Sequence, residues 1–304
     1  MTMPDTLCDS SPVGVGVVVA VHNRKDITLK CFRSLAACDR RRCDVTVTMV
    51  DDGSTDGTLE AVAAEFPQIR AIRGDGSLFY AQGMNRAIEA ALADKPRFLL
   101  LINDDSSFAR DFLTELIDTA VSHPRSVVGA LLLREDLPER VYQCDPRWDP
   151  SRGDCIWPEY RYGRNVPLQA WAVLTLAGNC VLVPRAAVET QGLMDAKRFP
   201  QYGDVEFMTR LRQAGWTLLV EPRAHVWVRP NTVAVLSTLR PREVLRRLLI
   251  DKHSPYYILH QTRRIFCLAP TRTAALCGLL VFWSRYCMHA LSKAWSRSVE
   301  RTIC

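Results

Sequence analysis

Asn103-Asp104-Asp105 closes the apolar run Phe98-Leu-Leu-Leu-Ile102. Two adjacent carboxylates beside an amide are hard oxygen ligands of the kind that hold Mg2+ or Mn2+ and, through them, phosphates. The same residues also read as a strand followed by an Asp-Ser helix cap. Two earlier apolar runs end in polar clusters of their own. Gly14–Val21 stops at His22-Asn23-Arg24, and Val45–Val50 stops at Asp51-Asp52-Gly53-Ser54-Thr55-Asp56-Gly57. Later, Gly178-Asn179-Cys180 interrupts an apolar stretch, and Asp204 and Glu206 stand where a helical pattern begins. Acids in a first helical turn suit the helix dipole, and one of them can also serve as a proton acceptor.

Short unbroken apolar runs bounded by turn signals are the pattern of buried strands in a parallel sheet. Helical periodicity follows the first run, with Asp26 as a cap and Ile27, Leu29, Phe32 and Leu35 inward. The spacing predicts helices over Leu59–Phe66 and Met84–Ala93, a strand over Ile69–Ile72 and a loop over Gly74–Gly83. Strands alternating with helices imply βαβ units. Neighbouring strands of such a sheet bring their carboxyl ends to one edge, where open α/β sheets bind ligands. Further on, Phe112–Val121 reads as a helix and Val127–Leu133 as a strand. Residues 134–170 read as an irregular insertion, and Ala172–Val183 as a strand broken at Gly178-Asn179. Val205–Ala214 reads as a helix, Trp216–Val220 as a strand, and the chain from Pro241 as largely helical. No short repeat or low-complexity segment occurs.

The 304 residues, 48% hydrophobic and 24% charged, describe a globular protein with a sizeable core. Eleven cysteines without a single CxxC pair predict reduced thiols rather than a disulfide framework. Residues 1–12 are polar, which predicts a disordered N-terminus without the features of a secretory signal. The net charge of +6 is unevenly spread, because residues 240–304 hold twelve Lys/Arg against three Asp/Glu. Leu, Ile, Val and Trp interleave with these basic residues, a pattern closer to a membrane-surface element than to a nucleic-acid binder. The longest apolar stretch, Thr273–Trp283, is shorter than the roughly 20 residues of a spanning helix.

Taken in order, Val-Ala-Val-His-Asn-Arg, Val-Asp-Asp-Gly-Ser-Thr-Asp-Gly-Thr, Gly-Asp-Gly-Ser-Leu-Phe-Tyr-Ala-Gln-Gly-Met-Asn and Leu-Ile-Asn-Asp-Asp resemble family 2 glycosyltransferases with the GT-A fold. The resemblance covers about residues 13–230, and in detail it is nearest to rhamnosyltransferase-like enzymes of cell-surface polysaccharide assembly. It implies an α/β fold with a mainly parallel, Rossmann-like sheet. Residues 13–110 would form a nucleotide-sugar-binding half and 111–239 an acceptor-binding half carrying the catalytic base. Residues 240–304 would form a basic, amphipathic helical tail.

The same resemblance implies roles. His22 and Asn23 would lie near the nucleotide base, Asp51 would accept from the base imide, and Asp52 and Ser54 would shape the turn. Gly53 and Gly57 supply backbone freedom there. Asn103 stands where the family's Asp-x-Asp motif begins, which leaves Asp105 as the metal ligand and Asp104 as partner of the ribose or of metal-bound water. Gly83 and Asn85 would approach the sugar donor at a helix start. Gly178, Asn179 and Glu206 would face the acceptor, and Asp204 would be the general base. His225, about three residues before the expected position at Val228, would be a further metal ligand. The implied activity is an inverting, Mg2+- or Mn2+-dependent transfer of a hexosyl or deoxyhexosyl group, including rhamnosyl. It would run from a dTDP- or UDP-sugar to a lipid-linked or growing glycan, on the cytoplasmic face of the membrane. There Arg240, Arg242, Arg246, Arg247, Arg263 and Arg264 would meet anionic lipid; no nucleic acid partner is expected. A nucleotidyltransferase would also pair acids with a metal, but Val13–Lys25 lacks a Gly-rich phosphate loop. A non-catalytic binding module would be expected to lose acids among Asp51, Asp105 and Asp204, and all three are present.

Overall fold

The computed structural model describes residues 12–230, 241–252, 254 and 256–285. All but the last residue of the expected disordered N-terminus lie outside them, as does Arg240. Val13–Val21 (β1) is a valine-rich strand whose β-branched side chains favour extended backbone. Then come Lys25–Ala36 (α1), Cys43–Asp51 (β2), Thr58–Glu65 (α2), Arg70–Arg73 (β3), Phe79–Leu92 (α3) and Phe98–Leu101 (β4). Ser106–Phe108 (β5), Phe112–Ser122 (α4), Ser126–Arg134 (β6), Arg147–Asp149 (β7), Asp154–Ile156 (β8), Trp171–Ala172 (β9) and Val181–Pro184 (β10) follow. Arg185–Gln191 (α5), Gly203–Gln213 (α6), Thr217–Val228 (β11), Pro241–Leu249 (α7) and Ile258–Leu268 (α8) come next, and residues 272–285 form a last helix (α9).

Nine strands make one sheet in the order β3-β2-β1-β4-β10-β6-β11-β5, with β9 on β11. The ladders β3-β2, β2-β1, β1-β4 and β6-β11 are parallel, while β10 lies antiparallel between β4 and β6. Strands from both halves of the chain thus share one sheet. Helices cover both faces. One core packs Phe32 and Leu35 of α1, Val62 of α2 and Phe112 and Leu116 of α4 against the sheet. The other packs Met84 and Ile88 of α3, Val188 of α5 and Phe207 and Met208 of α6. Leu99, Leu100 and Leu101 are fully buried, each stabilising by about 1.5–3 kcal/mol, so the run before the paired acids is anchored on both faces.

Several expectations change. Helix α3 starts at Phe79, five residues before Met84, because Ala81 N–H donates to the Pro200 carbonyl at 3.1 Å and so docks its first turn. Asp26 is not the cap of α1; Asp56 accepts from Lys25 N–H at 2.9 Å across the turn. The expected strand 172–183 is two short strands separated by loop. Residues 134–170 contain the β7–β8 hairpin. β11 runs on to Val228 through an irregularity between Glu221 and His225, and such a bulge bends a strand, here towards β5. Among the described tail arginines, Arg264 does not face lipid: it is turned inward onto Asp154 at 2.5 Å.

Candidate functional site

The three polar clusters meet because β2, β1 and β4 are parallel neighbours ending at one edge. Asp51, the last residue of β2, is 1% exposed. Its Oδ1 accepts from Ser54 N–H at 2.8 Å, while Oδ2 is buried with no partner. Asp52 turns both oxygens to the next loop, accepting from Gly76 N–H at 2.9 Å and Leu78 N–H at 3.0 Å. The exposed His22 ring lies with Nδ1 2.6 Å from the Asp52 carbonyl and Nε2 2.9 Å from Asn23 Nδ2. Asn23, at φ 51°, donates its N–H to Ser54 Oγ at 2.8 Å and accepts from Thr55 N–H at 2.8 Å. Asn23, Asp52 and Ser54 therefore hold turns together, and the open acceptor is Asp51 Oδ2.

Asp104 and Asp105 share one cation, Arg24, whose Nη1 lies 3.1 Å from Asp104 and 3.4 Å from Asp105. Asp104 also accepts from Thr28 Oγ1 at 3.3 Å. Burial pushes both carboxyls above the usual carboxylate range against the pull of Arg24. Buried Asp104 and half-buried Asp105 lie in contact with a single half-exposed guanidinium. Mg2+ is commonly held by one or two carboxylates plus substrate phosphates rather than by an all-protein cage, and these oxygens fit that requirement. Among the described residues no group of three His, Cys, Asp or Glu forms such a cage. Arg24 carries no role in the sequence motifs; its place beside His22 at a strand end is the signal that points to it.

His225 is not brought to Asp105. Val228 pairs with Ser106, whereas the His225 carbonyl accepts from Ala109 N–H at 3.0 Å. Three residues of strand, roughly 10 Å, therefore separate His225 from the position opposite the acids. Its ring instead meets Tyr162 edge-on at 4.7 Å. Arg229, the residue just past the end of β11, is the one here whose charge reaches Asp105.

Asp204 opens α6. Its Oδ2 accepts from Gly178 N–H at 2.8 Å, and the Gly178 carbonyl accepts from Tyr80 Oη at 3.0 Å. Burial pushes the Asp204 carboxyl up, opposed by these N–H donors, although its side chain stays partly exposed. Burial and the Asp204 charge together keep Tyr80 a protonated donor. Gly178 is obligatory for this approach, since an added Cβ would lie 2.2 Å from Tyr80 Oη and 2.6 Å from Asp204 Cβ. The next residue, Asn179, accepts at Oδ1 from Asn103 N–H and Ser106 Oγ, both at 3.0 Å. One short segment thus binds the Asp204 carboxylate on one side and the Asn-Asp-Asp loop on the other. Cys180, at φ 56°, completes it in a conformation that costs energy outside glycine.

Four expected contact residues are engaged within the protein itself. Asn85 is buried, donating to and accepting from the Met194 main chain at 2.8 and 3.0 Å, so its amide ties α3 to the loop before α6. Gly83 lies inside α3 rather than at its start, and an added Cβ would meet Ala20 Cβ at 2.9 Å. Glu206 pairs with Arg210 at 2.7 Å and accepts from Asp195 N–H at 3.2 Å, which holds α6 to the loop before it. Asn179 likewise spends its carbonyl oxygen on the Asn103 loop. Tyr80 was missed, although it stands in the quoted Leu-Phe-Tyr-Ala motif.

Residues 16–192 match the model of Glycosyl transferase family 2. A N-acetylglucosaminyl-diphospho-decaprenol L-rhamnosyltransferase from Mycobacterium tuberculosis, strain H37Rv, is 30% identical over 204 residues, and strain CDC 1551 has an equally similar one. The match covers 60% of this chain and spans 66% of the relative's length. In fold, the chain is similar to GalNAc-T7 solved with UDP, GalNAc and Mn2+, at a TM-score of 0.59 and 16% identity, over 89% of this chain and 54% of that one. It is also similar to the mannosyltransferase PcManGT from Pyrobaculum calidifontis, in complex with GDP-Man and Mn2+, at 0.56 and 16%, over 96% and 83%.

Proposed function

The chain belongs to glycosyl transferase family 2, and from that premise we propose that it is an inverting, metal-dependent glycosyltransferase. It moves a hexosyl or deoxyhexosyl group, rhamnosyl foremost, from a nucleoside-diphosphate sugar to a hydroxyl of a lipid-linked or growing glycan. The observation that carries this reading is the Gly178-Asn179 segment, which holds Asp204 beside the Asn103–Asp105 loop. Transfer with inversion needs one carboxylate that accepts the acceptor's proton while the hydroxyl attacks the anomeric carbon. Asp204 fits that role because burial raises its proton affinity and Gly178 N–H fixes one oxygen. The anomeric centre passes through an oxocarbenium-like state, as in glycoside hydrolysis.

Asp51 Oδ2 accepts from the nucleobase, and exposed His22 offers a ring face beside it. Mg2+ or Mn2+, held by Asp105 with Asp104 behind it, would neutralise charge on the departing diphosphate. Arg24 shares that task from the protein side. The rhamnosyl assignment rests on the mycobacterial relatives' activity, and the lipid-linked acceptor on the same source.

Location at an anionic membrane face is supported by the tail. Seven of the twelve exposed large hydrophobics among the described residues lie on α7, α8, α9 and the Ile250 that follows α7. Arg242, Arg246 and Arg272 accompany them. No helix among the described residues is long and apolar enough to cross a membrane.

A panel of dTDP- and UDP-sugars with Mg2+ or Mn2+, offered with a prenyl diphosphate-linked sugar, tests the reading by release of nucleoside diphosphate and by product anomer. A product whose anomeric configuration is inverted relative to the donor is expected. A retained anomer, or no turnover with any donor, overturns it.

A further inference from the structure

We propose that a cavity lined by Arg134, Arg140, Arg161, Tyr142 and Trp157 binds a phosphorylated sugar, at a subsite separate from that of the nucleotide. The proposal rests on the glycosyltransferase reading and specifies the acceptor it takes. The cavity, about 270 Å³, is smaller than the roughly 300–1,000 Å³ of sites for drug-sized ligands, which suits one ring and its phosphate rather than a long glycan.

The main chain brings the three arginines together at one cavity. Arg140 and Arg161 are directly opposed across an antiparallel bridge, and Arg134 N–H donates to the Arg140 carbonyl at 3.0 Å. Like charges directly opposite one another on paired strands destabilise the pairing. The acids nearby pair with two of the three arginines only. Asp136 engages Arg134 through two bonds of 2.9 and 2.6 Å, and exposed Glu159 reaches Arg140 at 3.6 Å. Arg161 has no ion-pair partner among the described residues. A local conflict of this kind, kept within an otherwise consistent fold, is where function is expected to reside.

An oxyanion resolves the conflict, since guanidinium forks match phosphate oxygens in pairs. Trp157, 44% exposed at the same cavity, supplies an apolar face for a sugar ring. Position relates the cavity to the reaction. Arg134 pairs in register with Val228, which on its other side pairs with Ser106, the neighbour of Asp105. Two strand spacings, roughly 10 Å, therefore separate the Arg134 backbone from the acidic loop. Tyr142 and Gln143 also wall a smaller void that reaches Asn179.

The test measures binding of glucose 1-phosphate, inorganic phosphate, methyl glucoside and farnesyl diphosphate-linked glucose to the full chain by calorimetry, with UDP and dTDP plus Mg2+ as controls. Wild type is expected to bind both phosphorylated sugars and not methyl glucoside. Arg161→Ala weakens that binding at least tenfold, Arg161→Lys restores part of it, and nucleotide affinity is unchanged. Trp157→Ala weakens glucose 1-phosphate but not inorganic phosphate. Arg161→Ala also melts no lower than wild type, because it relieves the opposed charges, whereas a purely structural arginine would lower the melting temperature. Tighter binding of the farnesyl compound than of glucose 1-phosphate marks a lipid-linked ligand, and equal binding a free sugar phosphate. Unchanged affinity in Arg161→Ala overturns the proposal. Failure of the glycosyltransferase reading shows separately, as absence of turnover with every nucleotide sugar.

Discussion

On the side built from residues 13–110, His22, Asn23, Asp52 and Ser54 hold one another through bonds between turns that follow adjacent parallel strands. On the other side Asp204 is held by Gly178, 26 residues away, and by nothing from its own helix except the first N–H groups. The first arrangement needs only strand order and turn chemistry. The second depends on a loop that leaves the sheet, carries a strained Cys180 and returns as an antiparallel strand. A site can thus combine a rigid, locally determined grip with a catalytic group positioned by long-range packing, and substitutions should act differently on each.

The largest effect is expected at the long-range side. Asp204→Asn should lower kcat by about 100- to 10,000-fold, with nucleotide affinity intact and Gly178 N–H still accepted by the amide oxygen. Steady-state rates and nucleotide titration check it, and a loss of nucleotide affinity would merge the two sides. The same carboxyl sets a pH dependence. Its raised folded pKa puts the acid limb of kcat/KM above the usual value of about 3.9, with rate lost as pH falls. Stability runs oppositely. A raised folded pKa stabilises fully below the unfolded pKa, and that contribution is lost as pH rises through the folded value. Asp204→Asn should therefore not melt lower than wild type at neutral pH.

Next, Asn85→Ala leaves the Met194 main chain unsatisfied and should cost roughly 2–3 kcal/mol of stability. Denaturant unfolding would show it, and nucleotide affinity should not change. Asp51→Ala should weaken nucleotide binding by about tenfold or more, the loss of a charge-assisted hydrogen bond of roughly 1.5–3 kcal/mol. The reverse pattern, a donor effect at Asn85 and none at Asp51, would invert the assignment of scaffold and grip. The smallest effect concerns the metal. Added Mn2+ should raise the melting temperature of wild type by mass action, and Asp105→Ala should abolish that rise.

The same contrast explains what could be read from the chain alone. Asp51 and Asp105 were legible because apolar runs ending in acids identify strand ends, and parallel neighbours must end on one edge. Asn85 and Glu206 misled because type and spacing do not reveal whether a polar group is already spent. One amide met Met194, 109 residues away, and one carboxylate met Arg210 and Asp195. His225 stands three residues before Val228, the position that lies opposite Ser106, an offset already visible in the sequence. Tyr80 and Arg24 were in view within their motifs, but their partners are fixed by tertiary packing. The tail was legible in charge, yet not in which arginine turns inward.

That tail has a mechanical consequence. Gln261 Nε2 donates to Tyr202 Oη at 2.9 Å, and Arg264 pairs with Asp154 at 2.5 Å while lying 5.9 Å from the Tyr202 ring. Tyr202 is the cap residue two positions before Asp204. Cutting the chain at residue 240 would therefore remove a brace from Asp204, the proposed proton acceptor. A truncated protein should slow even towards a water-soluble acceptor, so lost activity after truncation reports a loosened hinge as well as a lost address.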